Sequence, residues 1–261
     1  MMMSKTIPVL LAILLLCILV SCNNEGVVDD AFTASVTFNG NGATSGSMTS
    51  QKAGRGSDIR LAANAYERPC YSFTGWNTAS DGSGTAYTDR QSINTKENIT
   101  LYAQWELDAV ILTSSSFLLF DDNYTLNSDV TISSTITVSG NVTLLLADGY
   151  TLTASGGIRV NEGNTLTIEA GESGTGRLIA TGEGTQAGIG SMEGAICGTV
   201  IINGGVITAT GGSEAAGIGG GKNGSDGTLT LGTGVSLQVS DNNSDWTDYD
   251  GSLRKKYMKT V

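Results

Sequence analysis

Few side chains in this 261-residue sequence could do chemistry, and the residue type that is missing decides the most. There is no histidine, which removes Ser-His-Asp and Cys-His catalysis and every histidine-containing metal site. The thiols are Cys17, Cys22, Cys70 and Cys197. Cys70 and Cys197 fall in regions of different composition, so the reading does not rest the fold on a disulfide. Asp241, Asn243 and Asp245 place oxygen ligands at positions 1, 3 and 5 of a calcium-type loop, with Asp248 and Asp250 following. Trp246 and Ser252 stand where such a loop needs glycine and glutamate. The segment therefore reads as a weak Ca2+ candidate beside a solvated acidic cap over the end of a sheet. Polysaccharide cleavage needs two carboxylates about 5 to 9.5 Å apart, or a basic residue beside clustered carboxylates. Between Val130 and Ser240 the basic residues are only Arg159, Arg177 and Lys222, and the acidic ones sit mostly beside glycine. The pattern predicts no catalytic residues, no enzyme activity and no cofactor.

Cys22 is the thiol with a chemical context. Lys5 precedes an uninterrupted apolar run from Val9 to Val20, 12 residues long. A helix needs roughly 20 apolar residues to cross a bilayer, whereas a secretory leader needs about 7 to 15, so the run addresses the chain rather than spanning. Leu19, Val20, Ser21 and Cys22 resemble the lipobox of bacterial lipoproteins. The resemblance implies cleavage between Ser21 and Cys22, diacylglycerol on the Cys22 thiol and a further acyl chain on the new amino group. Two or three acyl chains, at about 0.8 kcal/mol per buried CH2, hold a protein on a membrane by lipid alone. Asn23 stands where an inner-membrane retention signal often has aspartate, which favours an outer-membrane or cell-surface destination.

Beyond residue 21 the chain keeps 14 − 1 = 13 basic residues against 25 acidic ones. Nucleic acid and anionic lipid are poor partners for such a chain, because phosphate binding depends on clustered Lys and Arg. Only Arg254, Lys255, Lys256 and Lys259 make a basic tail.

The positioning elements fall into two regions. After a leader at 1–21 and a polar tether at 22–31, residues 32–106 are rich in aromatics, while from Val130 to Ser240 Tyr150 is the only one. The boundary is placed at 107–125, with repeats over 126–240 and an acidic cap and basic tail over 241–261. In the first region Ser35 to Phe38 alternates into Asn39-Gly40-Asn41-Gly42, a hairpin signal. Tyr71, Phe73, Gly75, Trp76 and Thr78 follow, then Tyr87 and a closing strand from Asn98 to Trp105. These residues resemble the Listeria-Bacteroides repeat, the internalin-type B repeat. The resemblance implies a small β-grasp-like module that serves surface proteins as a spacer or adhesive unit. The Arg68-Pro69-Cys70 entry departs from the glycine-rich approach of many members. Trp76 and Trp105 are the two candidates for a ligand platform, against a core role that a domain with so little interior favours.

The second region repeats. Leu178–Gly205 aligns with Ile207–Gly234 at an offset of 29, with ten identities in 28 positions, including Ala187-Gly188-Ile189-Gly190 against Ala216-Gly217-Ile218-Gly219. Short alternating strands bounded by Gly, Asn or Asp continue upstream. No proline follows Pro69, the inward positions are Val, Ile, Leu and Ala, and glycines mark recurring corners. The pattern predicts a mainly β chain: the small module, then a parallel β-solenoid of the right-handed β-helix type, with about four coils of 25 to 29 residues. The alternative is a β-sandwich of hairpins. The glycine signature also resembles β-helix repeats of bacterial surface proteins, some of them carbohydrate-binding, and no binding residue is transferred from it.

The function this predicts is a lipid-anchored extracytoplasmic protein with a structural or adhesive role toward a protein partner. The alternative is a carbohydrate-binding surface lipoprotein. Metabolic labelling with an alkyne fatty acid should mark the wild-type chain and leave Cys22→Ala unmarked; label that survives this substitution removes the anchor.

Overall fold

The computed structural model describes residues 33–233 and 235–240, and the backbone of 247–248. Among these residues every regular element is a strand, and no helix is long and apolar enough to cross a membrane.

Seven strands come first: β1 (Thr33–Asn39), β2 (Gln51–Gly54), β3 (Asp58–Arg60), β4 (Tyr71–Asn77), β5 (Ala86–Tyr87), β6 (Ser92–Asn94) and β7 (Ile99–Leu107). The alternation at the start of β1 turns Ala34, Val36 and Phe38 inward, as period-two patterning requires. The Asn-Gly signal becomes a turn in which the Ala43 amide donates to the Gly40 carbonyl at 3.1 Å. Its central residues Asn41 and Gly42 have φ of 47° and 89°, backbone that these two residue types tolerate best. A tight hairpin does not follow. The next segment bridges Ser45 to Glu67, so β1 meets its antiparallel partner β2 only after residue 50.

The other edge of β1 pairs in parallel with β7, and the five-stranded order is β2-β1-β7-β4-β5, with β3 and β6 in a separate antiparallel pair. The parallel pair β1-β7 lies inside this sheet, and the antiparallel pairs β1-β2 and β4-β5 lie at its edges. The covering helix that a β-grasp would add has no counterpart among the described residues. The segment between β2 and β4 carries Gly56 and Pro69 and puts β3 into the small pair instead.

From residue 110 the pairing changes character. Strands β8 (Val110–Ile111) and β9 (Leu118–Phe120) open a series that continues in triplets. These are β10 (Asn123–Thr125), β11 (Val130–Ile132) and β12 (Ile136–Ser139); then β13 (Asn141–Leu146), β14 (Thr151–Ala154) and β15 (Ile158–Arg159). They are followed by β16 (Thr165–Ala170), β17 (Arg177–Thr181) and β18 (Ile189–Gly190), then β19 (Thr199–Ile202), β20 (Val206–Thr210) and β21 (Ile218–Gly219). Strands β22 (Thr228–Leu231) and β23 (Ser236–Ser240) end it. Each strand pairs in parallel with its equivalent one turn later, giving three sheets: β8-β10-β13-β16-β19-β22, β11-β14-β17-β20-β23 and β9-β12-β15-β18-β21. This arrangement is compatible with a solenoid-like fold: among the described residues the strands from β8 to β23 pair in parallel, not as the successive hairpins a sandwich would need. An isolated antiparallel bridge joins Asn161 and Cys197, and an antiparallel strand comes last, where β24 (Thr247–Asp248) runs back along β23.

The offset of 29 found in the sequence is the physical register here: Leu178 lies beside Ile207, Ile189 beside Ile218 and Thr199 beside Thr228. Upstream the spacing departs from the expected 25 to 29. Tyr124 pairs with Leu144 at an offset of 20, Leu144 with Ile168 at 24 and Ile168 with Ile202 at 34. The strands keep their positions while the corners between them change length.

Inside, like sits on like. Val130, Leu152, Leu178, Ile207 and Leu237 form one column; Ile136, Ile158, Ile189 and Ile218 form another. All nine are buried. Rungs about 4.8 Å apart bring aliphatic groups into van der Waals contact, so each column is a continuous apolar seam.

The described chain divides into two compact units. One comprises residues up to Asn39 together with Met48–Asn64 and Gly75–Ala103. The other comprises Gly40–Ser47, Ala65–Thr74 and everything from Gln104 onward.

Two substitutions test the stack. Ile168→Ala leaves a hole in a fully buried column and should lower unfolding free energy by about 2 to 5 kcal/mol in a urea titration. Gly190 has φ of 148°, and a Cβ there would run into the carbonyl oxygen of Gly219. Gly190→Ala should therefore cost about 1 to 3 kcal/mol although it adds only a methyl group. A Gly190→Ala protein as stable as wild type would show that neighbouring turns do not lie this close.

Candidate functional site

Ser21 and Cys22, and the calcium candidates Asp241, Asn243 and Asp245, lie outside the described residues. Among the described residues no three His, Cys, Asp or Glu side chains are grouped to hold a metal ion.

The two tryptophans proposed as a ligand platform, Trp76 and Trp105, go to different places. Trp76, on β4, is 1% exposed, and its ring lies 4.9 Å from that of Phe38 at an interplanar angle of 58°. A ring so enclosed offers no face to a ligand. Trp105, on β7, is half-buried; its indole Nε1 donates to the Gly40 carbonyl at 2.9 Å, and Phe73 meets it edge-on at 5.6 Å. Its polar handle thus secures the turn after β1. Cys70 and Cys197 are unpaired and buried. Burial pushes the Cys70 thiol up to about 12, with the negative charges of Glu169 and Asp108 adding to the effect. Burial also carries Cys197 to about 11. Neither forms a thiolate nucleophile near neutral pH.

The larger unit contains a feature not foreseen in the sequence, an open cavity of about 700 Å3 on the outer side of the first parallel sheet. Its floor follows from register. Ile111, Thr125, Leu145 and Glu169 are successive partners across β8, β10, β13 and β16. Alternation turns Tyr124, Leu144 and Ile168 into the core, so the adjacent positions point outward into the cavity. Three strand intervals make a floor about 14 Å long, apolar at Ile111 and acidic at Glu169.

The walls carry fixed charges. The Arg68 guanidinium lies 4.0 Å from the centre of the Tyr71 ring and donates to Glu172 Oε1 at 2.8 Å. Glu169 Oε1 accepts from the Asn203 side chain at 2.7 Å. Asp148 Oδ2 accepts from the Ser173 amide at 2.9 Å, and its Oδ1 accepts from the Thr175 amide at 2.9 Å and the Thr175 hydroxyl at 3.1 Å. Partial burial raises the Asp148 carboxyl, but these hydrogen bonds from Ser173 and Thr175 outweigh it and leave the group below its ordinary value of 3.8. Three carboxylates held by partners, against one guanidinium, leave the cavity with a charge excess of two negatives. Arg68 and Glu172 are 104 positions apart, so no local pattern could join them. The only trace in the sequence was the Arg68-Pro69-Cys70 departure from the repeat pattern.

Residues 35–104 match the family model of the Listeria-Bacteroides repeat domain. The match covers 70 of the 261 residues. No curated protein and no solved structure matches the chain.

Asp148 sets a pH test. A carboxylate lowered on folding contributes stability that is present above its ordinary value of 3.8 and is lost as pH falls below it. Asp148→Asn should cost about 1 kcal/mol at pH 7, after discounting for solvent screening, and almost nothing at pH 2.5. Equal losses at both pH values would assign its role to shape rather than charge.

Proposed function

We propose, from the Listeria-Bacteroides repeat at residues 35–104, that this chain is a bacterial cell-surface lipoprotein with a structural or adhesive role. Proteins that carry this repeat are typically extracellular or on the cell surface, and the repeat has a possible protein-interaction role. The finer reading adds the anchor. Ser21 and Cys22 close a lipobox-like segment, and acyl chains on Cys22 hold the protein at the outer membrane, facing outward. The three parallel sheets are then read as a right-handed β-helix that serves as a stiff body. Its aliphatic columns hold neighbouring turns together by packing, which suits a protein that must keep its shape outside the cell.

Partner binding rather than turnover is the role this body supports. Outward-facing rungs give a regular surface, and the cavity over β8 to β16 gives that surface a recess with fixed charges. Trp76 is enclosed, one face of Tyr71 is taken by Arg68, and the exposed rings Phe117, Phe120 and Tyr150 are not among the residues that line the cavity, so the recess offers few stacking faces of the kind sugars use. That observation favours a protein partner over the carbohydrate-binding alternative.

Proteinase K added to intact cells should remove the wild-type chain while a cytoplasmic control survives. Cys22→Ala should leave the membrane fraction and appear in soluble material. Protection of the wild type in intact cells, with digestion only after lysis, would place the protein inside the envelope and end the adhesive reading.

A further inference from the structure

We infer that the cavity over β8, β10, β13 and β16 is a docking groove for an extended peptide of a partner protein, one that pairs an apolar side chain with basic side chains about 14 Å away. The inference deepens the adhesive reading and rests on it for its biological setting, since it names the chemistry of the partner.

Shape is the first argument. Ile111, Thr125, Leu145 and Glu169 form a straight row because parallel register forces them into one, and the row crosses three strand intervals. A peptide rising about 3.3 Å per residue covers that length with four or five residues. The volume of about 700 Å3 accommodates such a segment.

Polarity is the second. One end is apolar: Ile111 belongs to the floor and Leu107, 42% exposed, stands at the rim. The other end holds Glu169, Glu172 and Asp148, with Arg68 as the single opposing charge. Each of these carboxylates is already oriented by a donor, so little side-chain freedom is lost when a cation arrives. An excess of two negative charges in a partly enclosed space attracts Lys or Arg and repels acidic segments.

The third argument separates peptide from glycan. Stacking recognition of a sugar uses an open aromatic face, and one face of Tyr71, the ring that lines the cavity, carries the Arg68 guanidinium at 4.0 Å. The Arg68 side chain is only 18% exposed and is fixed by Glu172, so that face stays covered.

The test uses the full chain purified in detergent and a rhodamine-labelled peptide, Leu-Ser-Ser-Lys-Lys, followed by fluorescence anisotropy. The control peptide carries Glu-Glu in place of Lys-Lys, and chitotetraose serves as competitor. Glu169→Gln keeps an acceptor for Asn203 while removing a charge, and should weaken the Lys-Lys peptide at least fivefold. Thr44→Trp narrows the mouth from an exposed position without altering charge, and should do the same. The Glu-Glu peptide should not bind, and chitotetraose should not displace the label. Equal binding to wild type and Thr44→Trp would overturn the proposal, because the peptide would then be following the net charge of −11 rather than the groove. No binding to wild type, or displacement by chitotetraose, would overturn it as well. None of these readouts depends on acylation or surface display, so a failure here is distinguishable from a failure of the anchor.

Discussion

Parallel register is the constraint from which the rest of this molecule follows. When each strand bonds to its equivalent one turn away, side chains are stacked directly on counterparts, and the inward columns become continuous runs of apolar groups. Val130, Leu152, Leu178, Ile207 and Leu237 share one column, and Ile132, Ala154, Ala180, Ala209 and Val239 share the next, with the three alanines in mid-stack. A ring placed in mid-stack would have to be matched by rings above and below or leave voids. The buried aromatic of the stack, Tyr124, sits near its first rung, where its hydroxyl takes the Phe120 amide at 3.0 Å.

The same constraint explains which features could be read in the sequence. Where two consecutive turns have the same length, side-chain columns become identities at a fixed offset, and the alignment at 29 coincides with the pairing of β17 with β20 and β19 with β22. Where corner lengths change, as between Tyr124 and Ile202, columns persist but the offset does not, and sequence comparison loses them. The strands before Val130 were hidden for a related reason. On β9 only Leu119 faces inward, while Leu118 and Phe120 are 43% and 55% exposed, so three apolar residues in a row gave no alternation to detect. In the first region the Asn41-Gly42 turn was legible from its residue types, whereas the absence of a hairpin after it depended on Glu67, a bridge partner 22 positions from Ser45.

The cavity was illegible for a more basic reason. Ile111, Thr125, Leu145 and Glu169 are ordinary outward residues, and nothing in their local sequence marks them as neighbours. Register brings them into line, and residues 65–74 bring Arg68 and Tyr71 to the same place. Sequence patterns report what an element needs in order to form. A recess assembled from four strands and two loops leaves no period behind, and only the unusual Arg68-Pro69-Cys70 entry hinted that the chain there answers to something beyond the module.

The reversal at β24 has a consequence for size. A stack of parallel turns has no internal reason to stop, since its last strand presents the same row of donors and acceptors as every strand before it. By running back across Gln238 and Val239, Thr247 and Asp248 occupy that row with the opposite polarity, so a further turn of the same kind finds its template already taken. On this face direction of travel, rather than bulk or charge, writes the full stop.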